Sequence, residues 1–216
     1  MKNKIGIIGS GAVAKALGNG FLKYGCEVML GSREVSKLNE WKQKGGPKAK
    51  TGSTSDAAKF GELIVLSAAG TAAAEALKSA GEENLKNKII IDTTNPISPS
   101  PPVNGVIQYF TDFKESLMEK LQKQIPAALF VKAFNSIGSG LMVNPDFGGT
   151  KPSMFICGNN ADAKKEVSEI LEKFGFEVED MGMAESARCI EPLAMLWCVP
   201  GFLRNDWSRA FKLLKK

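Results

Sequence analysis

The 216-residue chain contains no histidine, which removes the commonest proton donor of carbonyl-reducing enzymes at neutral pH. Its four cysteines, Cys26, Cys157, Cys189 and Cys198, make no C-x-x-C pair. Cys26 and Cys157 stand in apolar, strand-like contexts and read as reduced core thiols of a cytoplasmic protein. Cys189 and Cys198, nine residues apart, would face opposite ways on one helix, so no metal site is expected. No apolar run is long enough to cross a bilayer. Met1-Lys2-Asn3-Lys4 leads directly into a short strand, so neither a leader nor a membrane association is expected. Internal repeats and low-complexity stretches are also lacking. The excess of positive charge is small, 28 Lys and Arg against 23 Asp and Glu, and Glu166, Glu169, Glu172, Glu177 and Glu179 interrupt it. A nucleic-acid groove is thereby excluded. With 44% hydrophobic residues the chain can bury one good core.

What is present begins at once. Lys4-Ile5-Gly6-Ile7-Ile8 reads as an apolar strand and runs into Gly9-Ser10-Gly11-Ala12-Val13-Ala14, after which an apolar helix pattern follows. Strand, glycine turn and helix in that order are the context in which G-x-G-x-x-A holds a dinucleotide pyrophosphate. Gly9 permits the tight turn, Gly11 lets the backbone approach the phosphates, and Ala14 keeps the helix close to the strand. Ser10, Ala12 and Val13 complete the turn, where the helix N-terminus offers free N–H groups and partial positive charge. A plain turn without a ligand is the alternative. The second strand, Cys26-Glu27-Val28-Met29-Leu30, ends in Gly31-Ser32-Arg33-Glu34. A ribose-binding carboxylate is expected there, about 20 residues past the glycines. Gly31 stands in its place, Ser32 offers a hydroxyl and Arg33 a planar fork for phosphate oxygens, so NADP is favoured over NAD. Glu34 is either a displaced ribose ligand or an outward-facing residue. Lys37 joins the expected cofactor site, and Lys42, Lys44, Lys48 and Lys50 either add positive potential or form a solvated face.

Short apolar strands alternate with helical patterns along the rest of the chain. This predicts an α/β, Rossmann-like, doubly wound and mostly parallel sheet. Strands are expected at 4–8, 26–30, 63–68, 88–93, 129–134, 153–157 and 176–181, with a weaker one near Ala49. Helices are expected at 12–24, 34–44, 71–79 and 161–174, with a short one begun by Ser55-Asp56. Residues 1–182 would form the NADP-binding domain and residues 183–216 a C-terminal helical extension on it or on a partner subunit. One connection is long. Its 98–126 stretch opens on Ser98-Pro99-Ser100-Pro101-Pro102, carries Tyr109, Phe110 and Phe113, and holds a capping-box pattern, Ser116-x-x-Glu119, before a helix that Pro126 ends. It is either a lid over the nicotinamide or an ordinary crossover. Near the C-terminus Pro192 is expected to divide the helical pattern into two pieces. Glu191, in an apolar run, needs a partner, for which Arg188 and Lys132 are the candidates, and a local pair with Arg188, three positions earlier, is preferred over a role as catalytic acid. The run Leu193 to Leu203, with Trp197 and Phe202, is expected to build a homodimer.

Four segments carry a family resemblance. Ile7-Ile8-Gly9-Ser10-Gly11-Ala12-Val13-Ala14, Gly31-Ser32-Arg33, Asp92-Thr93-Thr94-Asn95-Pro96 and Lys132-Ala133-Phe134-Asn135-Ser136-Ile137-Gly138 resemble the NADP oxidoreductases typified by reductases of coenzyme F-420, a deazaflavin. They are also similar to the cytosolic reductase domain of STEAP metalloreductases. Met154 to Asn160 and Ile190 to Leu193 extend the likeness over nearly the whole chain. The resemblance implies hydride exchange between NADP(H) and a flavin or deazaflavin-type ring, the small-molecule electron acceptor. The missing histidine agrees, because such a transfer proceeds mainly by positioning. A carbonyl or imine reductase remains open, with Lys132, Tyr109 or water as proton source, as does a non-catalytic NADPH sensor. The nicotinamide is expected among Ser67, Ala68 and Ala69, Asn95 with Pro96, and Asn135 with Ser136. Asn95, Asn135 and Lys132 are the positioning candidates.

Overall fold

The computed structural model of the chain describes residues 2–216. Short runs of Ile, Val and Leu alternate with longer amphipathic stretches, and the backbone follows that alternation. In order come β1 (Lys4–Ile8), α1 (Ala12–Lys23), β2 (Glu27–Gly31), α2 (Asn39–Gly45), β3 (Ala49–Gly52), α3 (Thr54–Phe60), β4 (Leu63–Leu66) and α4 (Gly70–Ala80). The single turn α5 (Glu82–Leu85), β5 (Ile89–Asp92), α6 (Leu117–Gln124) and β6 (Leu129–Lys132) follow. β7 (Ser153–Ile156), α7 (Ala161–Lys173), β8 (Glu177–Asp180) and α8 (Ala187–Arg204) come last. Six strands form one sheet in the order β3-β2-β1-β4-β5-β6, with every pairing parallel. β4 and β5 are buried along their whole length, as a parallel sheet covered on both faces requires. One face packs Ile5, Ile7 and Val65 against Leu17, Phe21 and Phe174, and the other packs Ile8, Ile64 and Ile90 against Leu77 and Met118. The chain is therefore doubly wound, and the strand order reverses between β1 and β4. Ligand crevices of this architecture open there, beyond the carboxyl ends of the strands.

Several expectations change in detail. β7 and β8 do not join the main sheet; they form a parallel pair of their own, linked to β6 by an antiparallel bridge between Lys132 and Cys157. The 34–44 helix starts as a 3-10 turn, Val35–Leu38, before α2 begins. The cap of α3 is Ser53, not Ser55, because Ser53 and Asp56 exchange the two bonds of a capping box. The Ser116–Glu119 box of α6 forms where it was expected.

The C-terminal pieces are one continuous helix, α8, which runs through both Pro192 and Pro200. Each proline deletes a single donor from an 18-residue ladder. The carbonyl freed by Pro200 belongs to Leu196, a residue that is 61% exposed. Nor is the apolar run simply buried. Leu196, Phe202 and Leu203 face outward, while Trp197 turns inward, donating its Nε1–H to the Arg209 carbonyl at 2.8 Å beside Trp207. No helix among the described residues is long and apolar enough to cross a membrane.

Candidate functional site

The glycine turn packs against the end of β4. Gly9 has φ +150°, and a Cβ there would stand 2.6 Å from both the Ser67 carbonyl oxygen and its Oγ. A Cβ on Gly11, by contrast, would meet nothing within 4 Å. It caps α1 without a side-chain hydrogen bond, and the first turn holds no acidic residue. The N–H groups of Ala12, Val13 and Ala14 are thus left for an anion. A cleft of about 270 Å³ opens in front, lined by Gly9, Ser10, Gly11, Ser67, Ala68 and Ala69 on this side. A dinucleotide pyrophosphate fits these donors and the space beside Gly11.

Beyond the glycine turn, Ser32 and Arg33 also line the cleft. Gly31 owes its bareness to packing, because a Cβ would lie 2.7 Å from that of Ala57 on α3. A carboxylate is missing here for steric reasons, and Arg33, exposed at the rim, is the first cation beyond it. Glu34 is paired with Lys37 at 2.6 Å on the 3-10 turn. Neither Glu34 nor Lys37 lines the cleft. Lys44 pairs with Glu40 and Lys50 with Glu27, each at 2.6 Å, while Lys48 donates to the Gly25 carbonyl. The lysine-rich stretch is a solvated face. Thr54, Glu75 and Ser79 line the opposite wall and escaped the sequence reading. Only Ala72 and Ala76, four apart on the same face of α4, hinted that something passes close by.

Three elements meet beyond the Ser67–Ala69 wall. A Cβ on Gly70, the first residue of α4, would collide with the Asn95 carbonyl, so the Ser67–Ala69 wall abuts Asn95. Asn95 donates through Nδ2 to the Asn135 carbonyl at 2.7 Å. Asn135 donates through Nδ2 to Asn95 Oδ1 at 3.2 Å and to the Ile190 carbonyl at 2.9 Å. Phe134, just before it, has φ +60°, a left-handed conformation that is costly for an aromatic residue. Its ring is fixed between Phe174 and Phe176. Pro96 and Ser136 are buried alongside, the Pro96 carbonyl accepting the Phe110 N–H.

Beneath this edge lies an ionic cluster. Lys132 is fully buried, and its Nζ reaches Asp92 Oδ2 at 2.7 Å, Glu191 Oε1 at 2.9 Å and the Thr94 carbonyl at 2.9 Å. All three ammonium donors are thereby used. Glu191 also accepts the N–H groups of Leu117 and Met118, each at 3.0 Å, where the start of α6 favours negative charge. Burial alone would lower the pKa of Lys132, but Asp92 and Glu191 outweigh it and hold the ammonium above its ordinary range. The expected local pair of Glu191 with Arg188 does not form. Glu191 turns into the core toward Lys132, whereas Arg188 stays at the rim and binds Glu119, Nη2 to Oε1 at 2.5 Å. Lys132 has no ammonium donor left over for a substrate. Tyr109 donates its hydroxyl to the Glu191 carbonyl at 2.8 Å, and burial pushes its pKa above the ordinary tyrosine range. The long 98–126 stretch is fastened to α8 at Tyr109 and at Gly105, which lies against Leu203.

Residues 4–96 match the family described as NADP oxidoreductase coenzyme F420-dependent. Over 207 residues the chain is 31% identical to Metalloreductase STEAP3 of Rattus norvegicus, which covers 93% of this chain and 39% of the metalloreductase. The chain thus spans about two-fifths of that relative's length. A crystal structure from Arthrobacter sp. FB24, provisionally described as an F420-dependent NADP-reductase, superposes with a TM-score of 0.90 at 29% identity over 99% of each chain. An imine reductase of Streptomyces aurantiacus shares the fold, with a TM-score of 0.69 at 18% identity over 93% of this chain and 63% of the other.

Proposed function

Because residues 4–96 match the family described as NADP oxidoreductase coenzyme F420-dependent, we propose that the chain passes a hydride between NADPH and a flavin or deazaflavin-type acceptor. NADP(H), when bound, supplies the hydride. The chain's part is to hold the pyrophosphate at the α1 N-terminus, the 2′-phosphate at Ser32 and Arg33, and the nicotinamide between Ala68–Ala69 and the Asn95–Asn135 pair. One observation carries the choice of acceptor: the nicotinamide edge offers no free acid. Lys132 has spent its three donors, the Tyr109 hydroxyl is committed to a carbonyl, and the chain has no histidine. A flavin-type ring needs stacking and orientation rather than a protein acid. An iminium substrate already carries its proton, so imine reduction is the second reading that the same observation allows. We place the protein in the cytoplasm, as a homodimer, on the support of four free thiols and the outward apolar face of α8.

Anaerobic incubation with NADPH and each of FMN, FAD and a deazaflavin tests the acceptor. Bleaching of the ring absorbance supports the first reading. NADPH consumption with a cyclic imine alone supports the second, and binding without turnover of any acceptor overturns both in favour of a sensor. For the cofactor, Arg33→Ala should weaken NADPH relative to NADH by about 1.5–3 kcal/mol, the worth of a charge-assisted phosphate contact. Equal losses for both dinucleotides in a calorimetric titration would overturn the NADP assignment.

A further inference from the structure

A second pocket, of about 250 Å³, lies between the long connection and the first turns of α8. It shares no residue with the dinucleotide cleft. Tyr109, Phe113 and Met195 give it an apolar, largely aromatic lining, and Asp112 and Arg188 bring charge to it. A cavity of ~150 Å³ already takes a benzene ring, so this one has room for a ring with a short substituent. Pro192 deprives the Arg188 carbonyl of its usual helical donor, and both residues line the pocket.

The charges around this space do not cancel. Arg188 has a carboxylate of its own, since its Nε and Nη2 both bind Glu119. Asp112 has no ion-pair partner among the described residues, and Lys114 and Lys120 act on it only from beyond ion-pair distance. Its Oδ1 accepts the Lys114 N–H at 2.8 Å, which holds the carboxyl below the ordinary aspartate range and keeps it ionised. At the inner end, where Glu191 lines the pocket, Asp92 and Glu191 share the single ammonium of Lys132 and leave one more negative charge in excess. An anion would meet this surplus and a guanidinium already bound. A cation meets an unpaired carboxylate and two aromatic rings, which attract positive charge. We propose that the pocket is a binding site for a small organic amine in its ammonium form. The ammonium pairs with Asp112, and the hydrocarbon body lies against Tyr109, Phe113 and Met195. An occupant would tie the long connection to α8, which Tyr109 and Gly105 already fasten together. The site is independent of which acceptor NADPH reduces.

Three probes of one shape isolate the charge: benzylamine, protonated at neutral pH, benzyl alcohol and benzoate. In calorimetric titrations the wild type should prefer benzylamine over benzyl alcohol by ~3- to 30-fold, the range for a cation beside aromatic rings, and should not bind benzoate. Asp112→Asn keeps an oxygen for the Lys114 N–H, so the turn survives, and should cut that preference by ~2- to 5-fold, the worth of an exposed ion pair. Saturating NADP+ should leave the benzylamine affinity unchanged. A wild type that binds the amine and the alcohol alike overturns the proposal, and one that favours benzoate assigns the pocket to anions through Arg188 instead. Competition between benzylamine and NADP+ would place the amine in the dinucleotide cleft and overturn the second site. An Asp112→Asn protein with the full preference overturns the pairing on which the proposal stands.

Discussion

At Gly11 the missing side chain answers to nothing inside the protein, while at Gly9 and Gly31 it answers to close neighbours. The space beside Gly11 leaves room for a ligand at the α1 N-terminus. Gly11→Val should therefore leave thermal stability almost untouched and abolish NADPH binding, as a melting curve and a fluorescence titration would show; retained tight binding would make the turn purely structural. The sequence displayed this residue plainly, because turn glycines act locally. It displayed Lys132 and Glu191 too, as two charges in apolar runs, but joined Glu191 to the wrong partner. Local spacing on a helix favours Arg188. Burial decides otherwise, since Lys132 has no solvent to turn to and takes every acceptor within reach.

Helices α6 and α8 are joined at their starts by Glu119 and Arg188. Burial would raise the pKa of Glu119, but Arg188 and the N–H and hydroxyl of Ser116 overcome it and lower it from 4.5 to about 2. Because the folded value lies below the unfolded one, the stabilisation is complete above pH 4.5 and is lost as the pH falls toward about 2. Glu119→Gln should lower stability at neutral pH and flatten its decline over that acid range. Urea unfolding at a series of pH values measures both, and a variant with the wild-type slope would show that other carboxylates set it. Elements with local signatures were legible: the capping boxes, the apolar strands and the glycine turn. The continuity of α8 was not, because the helix-breaking tendency of Pro192 is local while the contacts that carry the helix through it come from β6, α6 and the tail. The separation of β7 and β8 was hidden likewise, since hydrophobic alternation marks a strand without naming its sheet.

Across the whole molecule, α8 and the long connection present Leu196, Phe202, Leu203, Val103 and Phe113 to solvent, each at least half exposed. These are the residues that the proposed homodimer would cover. Trp197 is the wrong place to test it, because its ring is occupied by Gly138 and Trp207 within the same chain. Leu196→Glu combined with Leu203→Glu should convert a dimer to monomers at micromolar concentration, as sedimentation would reveal, while leaving NADPH binding intact. A wild type that sediments as a monomer would assign the face to something else. The cluster of Lys132, Asp92 and Glu191 has one more consequence, for modularity. Its third member comes from beyond residue 182, so cutting the chain there strands a lysine beside one carboxylate and uncaps two N–H groups of α6. The buried charge of the nucleotide-binding part is balanced in part by a residue past its last strand. Any fusion or rearrangement that reuses it must carry the start of α8 along.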